Sequence, residues 1–191
     1  SGERWRNSYC TIRATWCCSA CHRAKVPTTS LRAAIGLPAS AAAAATQAPM
    51  AMIITCCDSR VLISEVFGND VPGDFFIHRN IANLVPAYAP DGEQHGTSAA
   101  VEYAVTALKV AHLIVVGHTM CGGVAGCHAM CSGRAPELDE KTSFVGRWMD
   151  VLRPGYDRVK DLPEDQQIAA LEREAVLVSI ENLMTFPFVR T

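Results

Sequence analysis

Two short apolar runs in this chain end in the same kind of chemistry. Met50–Thr55 empties into Cys56-Cys57-Asp58-Ser59-Arg60, and Leu113–Val116 into Gly117-His118-Thr119-Met120-Cys121-Gly122-Gly123. A brief apolar run bounded by turn-forming residues reads as a buried strand. Open α/β sheets gather ligands at the carboxyl ends of such strands. Two strands that each deliver thiol or imidazole to one sheet edge point first to a metal site.

The rest of the pattern fits that frame. Leu62–Phe67 reads as a short helical piece closed by Gly68-Asn69, and Phe75–His78 as a further strand leading into Arg79-Asn80-Ile81-Ala82-Asn83-Leu84-Val85-Pro86. Tyr88–Gly96 is a loop by its Pro, Asp and Gly content. Thr97–Val110 reads as one helix, capped by Thr97 or Ser98, with Val101, Val105 and Leu108 on one face. Gly122–Met130 is expected as a helix that Gly122, Gly123 and Gly126 let approach the sheet closely. Phe144–Leu152 should stop at Pro154-Gly155. A long helix follows from Glu164 to Met184, and then an extended segment or short strand at Phe186–Val189. Strands alternating with helices predict an α/β fold, a parallel β-sheet core flanked by helices.

The 191 residues suffice for one domain with a sizeable core. A net charge of −2 gives no footprint for nucleic acid, and no apolar run reaches the roughly 18 residues of a membrane helix. The charge is uneven: residues 1–50 hold six basic residues and a single acid, Glu3. Residues 1–46 therefore read as an atypical, acid-poor leader, either disordered or a targeting segment, and residues 47–191 as the zinc-binding domain. Nine cysteines, an odd number beside candidate metal ligands, suit a reducing compartment better than a disulfide framework. The cytoplasm is the expected location, with organelle targeting by the basic leader as the alternative.

Cys56, His118 and Cys121 are the candidate ligands. Catalytic zinc takes thiolate and imidazole in a tetrahedron and keeps one position for water, and two Cys with one His is such a set. His118 and Cys121 stand three apart in a strand-to-helix turn, and Cys56 comes from the other strand. Asp58, two residues beyond Cys56, leaves an extended chain on the same face. It is a fourth ligand or an acceptor beside the metal, and Arg60 can hold it as a bidentate pair. Cys57 should point the other way. Cys18-Ser19-Ala20-Cys21-His22 spells a haem-attachment motif, here read as accidental. Cys10, Cys17, Cys18 and Cys21 raise the separate idea of a small zinc knuckle.

Cys-x-Asp-Ser-Arg, followed about sixty residues later by His-x-x-Cys-Gly-Gly, resembles the β-class carbonic anhydrases. Arg79–Pro86, Glu102-Tyr103-Ala104-Val105 and Asn182–Arg190 extend the likeness over residues 47–190, closest to the plant-like and bacterial branch. The resemblance implies one zinc held by Cys56, His118 and Cys121, an Asp58–Arg60 dyad, and reversible hydration of CO2 to bicarbonate by zinc-held hydroxide. It implies Gln47 as a substrate-side glutamine that a neighbouring subunit usually supplies, Phe76 and Tyr103 as aromatic walls of a narrow CO2 cleft, and the Gly122 N–H as a donor to substrate. A homodimer or larger homo-oligomer is implied as well. Water on zinc has a pKa of about 7 in carbonic anhydrases with three histidine ligands; two thiolates donate more charge and leave a compensating task to the surroundings.

The resemblance leaves alternatives. Hydrolysis of CS2 or carbonyl sulfide runs on the same ligands in relatives, and an inactive, zinc-bound or bicarbonate-sensing homologue is the other reading. Relatives continue past Phe-Pro-Phe-Val-Arg into a further strand and hairpin, so a C-terminal strand and hairpin are expected to be missing here. Some relatives let the aspartate ligate zinc. Ile53 in place of a Trp argues for the open state, with Asp58 on Arg60. His95 and His128 are considered as proton relays and read as ordinary histidines.

Overall fold

A computed structural model describes residues 11–17, 47–91 and 95–190, the first of these as backbone. Among the described residues, four parallel strands form one sheet in the order β1-β4-β2-β3: β1 is Thr11–Cys17, β2 Ala51–Cys56, β3 Phe75–Asn80 and β4 His112–His118. β2 is buried along its whole length, and β4 along all but its first residue. That is why both read as unbroken apolar runs: a parallel sheet is covered on both faces, so alternation disappears. β3, an edge, alternates between half-buried and exposed positions.

Two cores flank the sheet. On one face Met52, Ile54, Leu113 and Val115 pack with Val101, Val176, Leu183 and Phe186. These last four come from α2 (Gly96–Glu102), α6 (Glu164–Leu183) and the segment after α6. On the other, Ala51, Ile53, Ile114 and Val116 pack with Val61 and with Ile63 of α1 (Ile63–Phe67). A third cluster, beyond the strand ends, joins Cys56 and Cys121 to α3 (Gly122–Cys131), α4 (Phe144–Met149), α5 (Arg153–Val159) and α6.

Several local expectations are corrected. β1 lies inside the leader, where the sequence shows no period; it pairs in parallel with β4, Thr11 opposite His112. The other leader motifs, including Cys10, Cys18 and Cys21, lie outside the described residues. The helix expected over Thr97–Val110 is α2 followed by a π-helical turn, Tyr103–Ala107, in which Leu108 donates to the Tyr103 carbonyl; Lys109 then turns at φ 54°. Thr97 is no cap: it is buried and its hydroxyl meets His78. Pro154 does not end the helical run. It sits in the first turn of α5, where its missing N–H would have no partner anyway. Phe186–Val189 is not extended; Pro187 opens a 3-10 turn, Pro187–Val189, behind a buried Phe186.

Candidate metal centre

The register of the sheet builds the site. Thr55 of β2 lies opposite Val116 of β4, so Cys56 and His118 leave neighbouring strand ends together. Cys121 follows in the turn into α3 and occupies its N-cap position. The ligand atoms of Cys56, His118 and Cys121 all lie within 4.8 Å of one another, and all three residues are buried. The two sulfurs are 3.9 Å apart. Tetrahedral zinc with bonds of about 2.3 Å to sulfur would set them about 3.8 Å apart.

His118 completes the fit. Its Nδ1 pairs with the Thr119 carbonyl at 3.0 Å, which places the proton there and leaves Nε2 as the lone-pair nitrogen. That Nε2 is buried and makes no hydrogen bond with any described residue. A buried nitrogen that faces two thiols and has no hydrogen-bond partner among the described residues fits a metal ligand. The donor set suits zinc.

The surroundings are arranged for negative sulfur. The Cys56 sulfur accepts from the backbone N–H groups of Asp58 (3.4 Å) and Ala82 (3.3 Å). The thiol of Cys121, bonded to it, is the main reason its pKa is pushed well down; the same contact pushes Cys121 up. The Cys56 sulfur in turn raises the pKa of His118.

The Ala82 N–H is aimed by the stretch Arg79–Leu84. Ala82 and Asn83 adopt left-handed φ values of 62° and 50°. The Asn80 side chain holds this turn by bonding both the N–H (2.9 Å) and the carbonyl (2.8 Å) of Leu84. Arg79 donates to the carbonyls of Cys56 (3.0 Å) and Asp58 (2.7 Å), pinning the chain that leaves β2. Gly123 lets α3 sit against the same turn: a Cβ there would stand 2.6 Å from Ile81 Cγ2. Gly122 and Gly126 meet no comparable obstacle, so close approach needs Gly123 alone.

Asp58 and Arg60 form the expected dyad. Arg60 Nε and Nη2 reach Asp58 Oδ1 and Oδ2 at 2.9 and 2.7 Å, and the Arg60 N–H adds a third bond to Oδ1 at 3.0 Å. These bonds hold the carboxyl well below the usual carboxylate range. Asp58 Oδ2 lies 3.9 Å from His118 Nε2, at the rim of the cluster.

The other singled-out residues fall elsewhere. Gly122 opens α3 directly after Cys121. Phe76 stands opposite Met52, four residues back from Cys56, about 13 Å at a rise of about 3.3 Å per residue. Tyr103 is half-exposed, and its ring lies 5.9 Å from that of Phe76. Gln47 is exposed before β2 begins. Within one chain these three are not gathered round the cluster. Both ring nitrogens of buried His128 are taken, by Arg134 and Gln167, and His95 pairs with Asp91. His95 lines a separate pocket of about 500 Å3 with Cys57, His78, Thr97 and Trp148.

Sequence reasoning missed Glu172. This residue of α6 is buried, and its Oε1 accepts the Cys121 N–H at 3.0 Å. A charged residue on the inner face of a long helix was the available signal.

A carbonic anhydrase family model matches residues 51–191. Beta carbonic anhydrase 3 of Arabidopsis thaliana is 40% identical over 152 residues, 77% of this chain and 57% of that protein. This chain belongs to the β-carbonic anhydrase family. Among solved structures, the β-carbonic anhydrase CcaA is similar at a TM-score of 0.67 and 31% identity, over 78% of this chain and 65% of that one. Tetrameric β-carbonic anhydrases of the ascomycete Sordaria macrospora give 0.59 and 32%, over 75% of this chain and 68% of theirs. The chain therefore spans less than two thirds of the Arabidopsis protein and of CcaA.

Proposed function

We propose that this chain holds one zinc ion through Cys56, His118 and Cys121 and interconverts CO2 and bicarbonate. The orphaned Nε2 of His118, facing two sulfurs 3.9 Å apart, carries the metal assignment. Family membership supports the reaction. When bound, zinc supplies Lewis acidity that makes a nucleophile of water near neutral pH.

The residues around it have separable tasks. Asp58 stays ionised at neutral pH, so its Oδ2 acts as a hydrogen-bond acceptor that orients the attacking water rather than as a base that removes its proton. Arg60 fixes that carboxylate with a planar fork. The proton released in hydration leaves to solvent buffer by another path. The pair Asp58–Arg60 persists in the loaded protein, with the aspartate off the metal.

Gln47, Phe76 and Tyr103 serve a neighbouring copy. They lie at the far end of the strands from their own Cys56, too distant to wall its substrate, and Tyr103 is exposed. The related Sordaria enzymes are tetrameric, which supports an assembly in which one chain lends its aromatic pair to the next.

Stopped-flow CO2 hydration by zinc-loaded protein tests the reading, with Asp58→Ala as control. Hydration above buffer that collapses in the variant is expected. No hydration by protein carrying a full equivalent of zinc would remove the enzymatic claim.

A further inference from the structure

The helix that follows Cys121 carries a further pair of thiols. Cys127 and Cys131 stand one turn apart in α3, with their sulfurs 4.0 Å from each other. Cys127 is fully buried, its sulfur against the Met149 carbonyl, whereas Cys131 is partly open to solvent. The pair is thus a dithiol with one closed and one accessible end. The reaction proposed above does not use it.

Geometry decides what such a pair can do. A disulfide needs Cβ atoms about 3.8 Å apart, whereas residues four apart on a helix hold them at about 5–6 Å. Oxidation to a disulfide would therefore unwind α3. An ion between the sulfurs needs no unwinding: two metal–sulfur bonds of about 2.3 Å span up to about 4.6 Å, so 4.0 Å closes at an open angle. No third His, Cys, Asp or Glu donor joins both sulfurs within 4.8 Å among the described residues. Zinc, which takes four ligands, is poorly served. A soft monovalent ion content with two thiolates is well served, and copper(I) is the common one.

We propose that Cys127 and Cys131 form a two-coordinate site for a soft monovalent metal ion of the copper(I) class, separate from the zinc cluster. The ion enters from the Cys131 side and binds as both thiol protons pass to solvent, leaving a bis-thiolate of net charge −1. Burial pushes both thiols up, so they keep their protons until the ion displaces them; the Arg153 guanidinium acts on both sulfurs in the opposite sense, towards the thiolate. The apolar wall of Val124, Met130, Met149 and Leu152 keeps water from the buried sulfur.

The test titrates the zinc-loaded 191-residue chain with copper(I) under anaerobic conditions, against a colorimetric copper(I) chelator, and measures zinc in parallel. The Cys127→Ala/Cys131→Ala variant should retain its zinc and bind one equivalent of copper fewer than the parent. Cys131→Ala alone, a change at the more open position, should show the same loss if the double variant folds poorly. In the parent, substoichiometric copper should protect Cys131 from alkylation, read by peptide mass spectrometry. Equal copper stoichiometry in parent and variants, or alkylation of Cys131 unaffected by copper, overturns the proposal.

Discussion

Arg60 Nη2 bonds the carbonyl of Met120 at 2.9 Å while the same guanidinium grips Asp58. One side chain thus ties the loop after β2 to the turn after β4, the two segments that follow Cys56 and His118, and the second of them carries Cys121. Met120 offers its carbonyl from a left-handed conformation, φ 56°.

Replacing Arg60 should therefore do more than release Asp58. Arg60→Ala is expected to lower kcat/KM for CO2 hydration by about 100-fold, the scale of a misplacement near 1 Å at the reacting centre. Arg60→Lys keeps the charge and loses the fork, so it should recover only part of the rate. Stopped-flow assays at matched zinc content check both.

Acid should act through Asp58. Its pKa is depressed in the fold, so its contribution to stability is fully present above the unfolded value of about 3.9 and is lost as pH falls from there towards the lower folded value. Asp58→Asn has no such group to protonate. Urea midpoints measured from pH 5 downward should fall more steeply in the parent than in the variant; parallel curves would contradict this.

Gly123 and Gly122 should behave differently despite being neighbours. A methyl at Gly123 meets Ile81 at 2.6 Å and Ala82 at 3.1 Å, so Gly123→Ala must push the turn that aims the Ala82 N–H at Cys56. A stability loss of about 1–3 kcal/mol is expected, with weaker zinc binding. Gly122→Ala meets nothing within 4 Å and should fold normally. Denaturant melts and zinc competition on the two variants make the comparison.

Glu172 should matter to the metal without touching it. Glu172→Ala removes the acceptor for the Cys121 N–H, and zinc affinity should drop by about 10–100-fold, the usual effect of losing a partner that orients a ligand. Glu172→Gln keeps a carbonyl oxygen at that place and should restore most of the affinity. Chelator competition gives the numbers, and equal affinity in all three proteins would show that Glu172 has no such role.

The sequence made the strand ends and the ligand triad legible because each rests on local pattern: an apolar run that stops, and thiols and imidazole at fixed spacing. The Asp58–Arg60 pair was legible from its short spacing, although the chain there is a turn beyond the end of β2, closed by the Val61 N–H on the Asp58 carbonyl, and not an extended strand. What escaped depends on distant partners. Nothing near Thr97 says that its hydroxyl belongs to His78 rather than to a helix end. Pro154 reads as a stop until Arg153 is seen to start a new helix. The place of Phe76 depends on register between strands, which no single segment encodes. The roles of Arg79 and Asn80 lie in carbonyls and amides of other segments, so the residues could be matched to a family while their work stayed hidden.

One helix touches two parts of the loop framework around the cluster, the turn into α3 and the stretch after β3. From α6, Glu172 holds Cys121, Ser179 bridges the Asn83 carbonyl and the Val85 N–H, and Asn182 bonds the Val85 carbonyl. These three residues span ten positions, about 15 Å of rod. These two segments thus share an anchor, and neither can relax far without straining its bonds to that rod. Detachment of α6 would slacken both at once, so the residence time of a bound ion would be set by how often this helix lifts, and metal exchange would run at the pace of local unfolding.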